Sequence, residues 1–128
     1  MKSILLSIKP RFAKEIYDKK KHIELRKRKP NVPFGTPIYM YETLPIGKIT
    51  GIFVYMGCIV EEKESFWKKY GNSTCVTKEE FFKYYKKSTF AYGWKVGHVV
   101  KFEKNNTLGV FDKEKAPQSY AIIYPTLP

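Results

Sequence analysis

Short strand-like segments, each bounded by proline, glycine or another turn residue, constrain the fold of this chain more than any other sequence feature. Each is either a short apolar run or an alternation of apolar and polar residues, as expected for β-strands. They cover residues 4–8, 22–28, 37–43, 48–60, 90–102 and 120–124. A parallel α/β fold would need a crossover helix between successive strands, and the spacing leaves room for few of them. The pattern therefore favours an α+β domain with an antiparallel sheet or a small barrel.

Helical spacing is restricted to three short segments. Residues 10–18 begin with a proline, which suits the first turn of a helix, and their apolar residues recur at helical intervals. Residues 64–70 form a second candidate. Thr77 and Glu80 have the spacing of a capping box, and the apolar residues after them predict a third helix over 78–87.

The length and composition fit one stable domain. A chain of 128 residues matches a single unit, which we place at 1–128. Hydrophobic residues make up 43% of the chain and aromatic residues 16%, enough for a core that needs no disulfide.

The cysteines and histidines give no sign of a metal centre. Cys58 and Cys75 lack C-x-x-C spacing, and His22 and His98 lie far apart in the sequence. We therefore expect no metal, no cofactor and free thiols in a reducing compartment. The N-terminal apolar run is too short for a signal peptide, and no segment approaches the ~20 apolar residues of a membrane span. The expected location is cytoplasmic, without a membrane partner.

Positive charge dominates the chain and concentrates near its N terminus. The sequence has 24 lysines and arginines against 12 aspartates and glutamates, a formal net charge of +12. Residues 9–30 alone hold ten basic and three acidic residues, or +7 of that total. A merely soluble surface normally mixes the two signs, so the skew indicates an anionic partner such as RNA or a nucleotide.

The most informative segment joins the first predicted helix to the second predicted strand. In that strand Ile23 and Leu25 share one face, whereas Glu24 and Arg26 share the other. A carboxylate beside Arg26 and Lys21 is expected to stay charged. Glu24 could then hydrogen-bond the edge of a base while Arg26 or Lys21 contacts phosphate. The alternative is an ion pair on the surface, which would contribute little to stability.

The segment from Lys19 to Arg26, K-K-K-H-I-E-L-R, resembles the signature G-x-K-x-x-E-x-R of the ASCH-domain family, a branch of the PUA-like superfamily. Further segments resemble the family in the expected order, namely the first strand and helix at 4–16, the hairpin at 38–51 and residues 116–120. The resemblance implies a small PUA-like antiparallel β-barrel with flanking helices and a cleft that binds RNA. It places Lys21, Glu24 and Arg26 in that cleft. Lys19 replaces the first glycine of the signature, and a residue with a side chain adopts a positive φ less readily.

Some family members look like enzymes, notably small bacterial amidohydrolases that remove the acetyl group from N4-acetylcytidine. That resemblance implies a catalytic lysine at Lys21 and a threonine where this chain has Glu24. It also implies a glutamate from the later helical region, for which Glu79 and Glu80 are the candidates. The missing hydroxyl weakens this chemistry, although a carboxylate can activate water as a general base.

Three classes of function therefore stay open. The first is an RNA- or nucleotide-binding protein, which includes a regulatory role. The second is a hydrolase of a modified nucleoside or of RNA, with Lys21 and Glu24 as its catalytic residues. The third is an adaptor that binds an acidic protein through the basic charge.

Four further residues are predicted to contact the ligand. Lys20 and Arg28 belong to the basic window and flank the motif. Trp94 and Tyr120 lie next to loop residues, where an aromatic ring could stack on a base. Such stacking is worth ~1–3 kcal/mol per base.

Overall fold

The computed structural model describes residues 2–125, which form six strands and three α-helices. The strands are β1 (Ser3–Ile8), β2 (Ile23–Arg26), β3 (Pro37–Glu42), β4 (Lys48–Glu62), β5 (Phe90–Asn106) and β6 (Tyr120–Ile123). The helices are α1 (Pro10–Tyr17), α2 (Lys63–Tyr70) and α3 (Lys78–Tyr84). All six predicted strands and all three predicted helices are therefore present.

The six strands form one mixed sheet in the order β2-β5-β4-β3-β1-β6. β1 and β3 run parallel, whereas the other four pairings are antiparallel. Between β1 and β3 the chain passes through α1 and β2, which gives it the length that a parallel connection needs. The α+β class is confirmed, and the sheet is mostly antiparallel.

The sheet formed by residues 2–125 is open, so the predicted barrel is not confirmed. β2 and β6 are its edge strands, and no backbone ladder joins them, whereas a barrel needs a continuous ladder. Arg26 on β2 bridges the two edges with its side chain instead. Nη1 donates to the carbonyl oxygen of Ser7 on β1 at 3.3 Å, and Nη2 donates to Oγ of Ser119, just before β6, at 2.5 Å. The sheet thus curls until its edges lie within the reach of one side chain.

β1 is buried along its whole length and lies between β3 and the edge strand β6. Ile4, Leu6 and Ile8 point into the main core together with residues of α1. Leu5 points to the opposite side and packs in a separate cluster with Ile123 of β6. The alternation follows the period of a strand, and it fixes the backbone that carries Ser7.

A second apolar cluster attaches α2 and α3 to the sheet beside β2. Phe66 of α2 and Phe81 of α3 are fully buried, with ring centroids 5.7 Å apart. Tyr85, the residue after α3, donates from its hydroxyl to the carbonyl oxygen of Arg26 at 2.8 Å. The end of α3 is therefore held against β2.

The helix termini follow the sequence signals closely. The Oγ1 of Thr77 accepts from the N–H of Glu80, and the Glu80 carboxylate accepts from the N–H of Thr77, so the predicted capping box is present. α3 ends at Tyr84, earlier than predicted, because the backbone of Tyr85 leaves the helical region with φ −100° and ψ 19°. In the described part of the chain, no helix is both long and apolar enough to cross a membrane.

Candidate functional site

The motif residues Lys21, Glu24 and Arg26 meet at one point. Nζ of Lys21 lies 3.5 Å from Oε1 of Glu24, and Nη1 of Arg26 lies 3.2 Å from Oε2 of the same carboxylate. Lys21 is 1% exposed and Glu24 is 3% exposed. The alternative that Glu24 forms only an ion pair on the surface is therefore wrong, because the Glu24 carboxylate and the Lys21 ammonium are buried.

A buried ammonium group needs partners, and Lys21 has several. Its Nζ donates to the carbonyl oxygen of Thr74 at 2.5 Å and lies 4.6 Å from the centre of the Phe12 ring. Burial lowers the pKa of the Lys21 ammonium, and the charge of Glu24 opposes that shift. Lys21 therefore holds its proton less firmly than a lysine on the surface.

The turn before Lys21 keeps its geometry without the glycine of the signature. Lys19 takes a φ of 61°, in the left-handed region. The N–H of Lys20 donates to the carbonyl oxygen of Glu15 at 2.9 Å, and the N–H of Lys19 donates to that of Ile16 at 3.0 Å. These are the two hydrogen bonds of a Schellman motif, in which glycine is the usual residue. The turn ends α1 and sends the chain toward β2.

The buried cluster forms the floor of a cleft of about 790 Å³ between α1, α3 and β2. Six basic and two acidic residues line this cleft, a formal net charge of +4. Four of the basic residues are exposed and form what we call the cationic rim: Lys9, Arg11, Lys27 and Lys83. An excess of cations in a cleft raises the local concentration of anionic ligands.

Glu80, and not Glu79, is the later glutamate that reaches the cleft. Its Oε2 accepts from Nη2 of Arg11 at 2.5 Å, so the pair joins α3 to α1 at the rim. The hydrogen bond from the N–H of Thr77 lowers the pKa of the Glu80 carboxyl most, and the hydrogen bond from Arg11 lowers it further. Glu80 is therefore an ionised capping residue at neutral pH and not a proton donor.

The other predicted ligand residues lie outside the lining of the cleft. Lys20 and Arg28 are exposed elsewhere on the surface. Trp94 is 0% exposed, and its Nε1 donates to the carbonyl oxygen of Arg28 at 2.8 Å. Tyr120 packs against it with ring centroids 5.3 Å apart. Trp94 therefore contributes to the core, and its ring presents no face to the cleft.

An aromatic residue that lines the cleft, Tyr84, was not predicted from the sequence. It lies in the last turn of α3 and is 37% exposed. Lys83 also lines the cleft without a specific sequence signal, whereas Gln118 lies in the segment 116–120 that resembles the family. The apolar spacing of the third helix predicted a buried face, but it does not tell which residue at the margin of that face turns toward β2.

The cysteines are not part of the cleft lining. Both are free, and burial raises the pKa of the Cys58 thiol to about 11 and also raises that of Cys75. They are therefore protonated at neutral pH and weak nucleophiles. Within residues 2–125, no three His, Cys, Asp or Glu side chains are grouped so as to hold a metal ion.

Known proteins similar in sequence include an ASCH domain protein. No protein-family model matches the chain. The ASCH domain-containing ribonuclease of Zymomonas mobilis is 31% identical over 85 residues, which cover 66% of this chain and 57% of that protein. The ATP synthase subunit alpha of Ureaplasma parvum is 25% identical over 122 residues, which cover 94% of this chain but 15% of that protein. The chain thus spans less than two thirds of each of these curated relatives.

Solved structures share the whole fold. The crystal structure of ASCH from Zymomonas mobilis matches with a TM-score of 0.87 over 95% of this chain and 87% of that one, at 21% identity. A variant of the same protein, with a tyrosine changed to phenylalanine, also gives 0.87, over 95% and 90% of the two chains at 20% identity. The sequence match to the ribonuclease confirms the predicted resemblance to the ASCH-domain family, and the solved structures show that the fold is shared.

Proposed function

We propose that this protein binds RNA in the cleft, through the floor of Lys21, Glu24 and Arg26 and through the cationic rim. The observation that carries the proposal is a carboxylate buried between two cations at the bottom of a positively charged cleft. Such a cleft attracts a polyanion and offers a fixed hydrogen-bond acceptor to the group that reaches its floor.

The rim and the floor have different tasks in this proposal. The exposed rim cations neutralise phosphates, which gives affinity without preference for a base. Glu24 gives selectivity, because each oxygen of a carboxylate can accept a second hydrogen bond besides its contact with Lys21 or Arg26. An exocyclic amino group of a base is a donor of the required kind.

The sequence relative supports RNA as the ligand. The protein from Zymomonas mobilis is described as a ribonuclease, and 66% of this chain aligns with it. An acidic protein partner is less well supported, because the floor of the cleft accepts hydrogen bonds deep below the surface, where a flat protein surface does not reach.

Binding of a single-stranded RNA should weaken steeply with salt. If the four rim cations neutralise about four phosphates, the slope is roughly −0.7 × 4, and affinity should fall about 50-fold between 50 and 200 mM salt. Fluorescence anisotropy with a labelled oligonucleotide measures this slope. A flat salt response would show that the positive charge serves solubility alone.

Two lysines of the basic window provide a matched pair of variants. Lys27 lines the cleft, whereas Lys20 is exposed outside it. Lys27→Glu should lower the affinity for all RNA sequences and reduce the salt slope by about 0.7 or more, because a phosphate contact is lost. Lys20→Glu changes the net charge equally and should have the smaller effect. Equal effects of the two substitutions would contradict a site in the cleft.

A second candidate function is cleavage of RNA in the same cleft. It is favoured by the pairing of the buried Lys21 with the Glu24 carboxylate and by the name of the Zymomonas relative. A 2′-hydroxyl would attack the adjacent phosphorus and give its proton to Glu24, while Lys21 stabilises charge on the phosphate oxygens. The leaving 5′-oxygen would take a proton from solvent. Deacetylation of N4-acetylcytidine is less well supported, because Glu24 occupies the place of the threonine that the family resemblance implies.

A further inference from the structure

Tyr84 forms an aromatic wall of the cleft on a rigid support. Its ring packs edge to face on Tyr85, with centroids 4.8 Å apart and planes at 78°. Tyr85 is fully buried, and its hydroxyl donates to the carbonyl oxygen of Arg26 and accepts from the N–H of Tyr92, which lies on the neighbouring strand. Tyr84 is therefore held in position by α3 on one side and by the sheet on the other.

Lys27 of the cationic rim is attached to the same residue. Its Nζ lies 4.1 Å from the centre of the Tyr84 ring and also donates to the carbonyl oxygen of Tyr84. A cation over an aromatic face is attracted by the ring quadrupole. A rim cation and an aromatic ring thus lie side by side in the lining of the cleft.

The Tyr84 side chain also lies near the floor of the cleft. Burial raises the pKa of its phenol, and the charges of Arg26 and Glu24 act on that phenol in opposite directions. Of the other aromatic residues in the lining, Phe81 is fully buried. Phe12 has the cations of Arg11 and Lys21 over its ring, at 4.4 and 4.6 Å. Tyr84 is thus the aromatic residue of the lining with the most open surface.

We propose that Tyr84 stacks on one unpaired base of the RNA, so that the edge of this base points to Glu24 and its phosphate contacts Lys27. This inference rests on the proposed RNA binding and names its substrate class, single-stranded RNA. A base edge must enter the cleft to reach the floor, where Lys21 and Glu24 are 1% and 3% exposed. Bases in a duplex are paired at that edge and stacked on both faces, so they cannot do this without leaving the helix.

The experiment compares a single-stranded oligonucleotide that contains 2-aminopurine with the same sequence in a duplex. Stacking on an aromatic ring quenches 2-aminopurine fluorescence. Tyr84→Leu should weaken binding of the single strand by about 5- to 150-fold and abolish the quenching, because one base loses its stacking partner. Tyr84→Phe and Tyr84→Trp keep a ring and should bind within about threefold of the unchanged protein. Phe34→Leu is the matched control, because Phe34 is exposed and lies outside the cleft lining.

The possible outcomes separate the two proposals. If the unchanged protein binds neither the single strand nor the duplex, both RNA binding and Tyr84 stacking are wrong. If it binds the single strand but Tyr84→Leu binds and quenches as well as Phe34→Leu, stacking alone is wrong. Equal affinity for the duplex would also overturn the inference. If Tyr84→Leu fails to fold, the Phe and Trp variants still decide, since loss of quenching in both would contradict stacking.

Discussion

Lys19 holds the left-handed backbone conformation that closes α1, with a φ of 61°. This conformation costs a residue with a side chain roughly 1–2 kcal/mol, whereas glycine loses about 0.5–1 kcal/mol through its greater freedom in the unfolded chain. Lys19→Gly should therefore raise the free energy of unfolding by about 0.5–1 kcal/mol in urea titrations. Lys19→Ala removes the same charge without relieving the backbone, and a gain in that control as large as the glycine gain would contradict the strain argument.

Glu24 is the residue that best separates the functional hypotheses. Glu24→Gln keeps the shape of the side chain but removes its charge and replaces one acceptor with a donor. If Glu24 contacts a base, selectivity among bases should shift by ~1–3 kcal/mol, while overall RNA affinity stays level or rises. If Glu24 is the base of a cleavage reaction, RNA should still bind and turnover should disappear. If Glu24→Gln changes neither the base selectivity nor the turnover, the reason for placing the site at β2 is lost.

The same substitution has a consequence for stability that a surface pair would not have. Glu24 is buried against Lys21 and Arg26, so Gln leaves two cations without their counter-charge. We expect the free energy of unfolding to fall by about 3 kcal/mol. Binding assays on this variant therefore need a parallel urea titration at the assay temperature, which measures the folded fraction.

At the scale of elements, β5 shows that packing requires a glycine in the interior of a strand. A glycine there often marks a bulge, and Gly97 pairs with Val54 next to one of the register shifts between β4 and β5. Gly93 instead pairs regularly with Leu25 on one side and Ile59 on the other. Because Gly93 has no side chain, Ile23 of β2 and Phe66 of α2 can pack closely against β5 at this position.

Gly93→Ala should therefore destabilise the protein. A Cβ at this position would lie 2.6 Å from both Cγ2 of Ile23 and Cζ of Phe66, which are packed in the second apolar cluster. Overpacking of this kind costs typically ~1–3 kcal/mol, measurable by urea unfolding. Gly109→Ala is the control, because its Cβ would meet only Oγ1 of Thr107 at 3.6 Å. A loss of stability as large at Gly109 would contradict the packing explanation.

At the scale of the whole molecule, buried tyrosines should determine the response to alkaline pH. Burial raises the pKa of Tyr17 and of Tyr55 to about 12, from 10.0, and raises that of Tyr85 as well. The unfolded chain therefore loses these protons first, so stability is fully present below pH 10 and falls as pH rises toward about 12. Urea titrations between pH 8 and about pH 12 would measure the fall.

Lys21 contributes with the opposite sign. Its folded-state pKa is lowered below 10.5, so its contribution to the free energy of unfolding increases with pH up to that value. Below that pH it partly offsets the loss of stability caused by the tyrosines.

Tyr55→Phe is the control for the tyrosine effect, since the hydroxyl of Tyr55 is buried without a hydrogen-bond partner among residues 2–125. This variant should be more stable by about 1 kcal/mol at neutral pH and lose less stability at alkaline pH. An unchanged alkaline profile would contradict this account.

The sequence by itself determined the local elements and the identity of the buried cluster. Helical spacing located α1, the Thr77–Glu80 spacing predicted a capping box that is present, and strand alternation placed Glu24 and Arg26 on one face. These features depend on residues at most a few positions apart, whose periodicity the chain displays directly. The charge pattern of the same segment indicated Lys21, and the family resemblance selected the same three residues.

Tertiary structure alone decided how the sheet closes and which side chains line the cleft. Arg26 and Ser119, 93 positions apart, bridge the sheet edges that a barrel would join by backbone. Trp94 was predicted from the sequence to stack on a base but is buried in the core, whereas Tyr84 lines the cleft. Both outcomes depend on packing between distant segments, since an aromatic residue in a strand or a helix has the same local pattern whether it faces the core or a ligand.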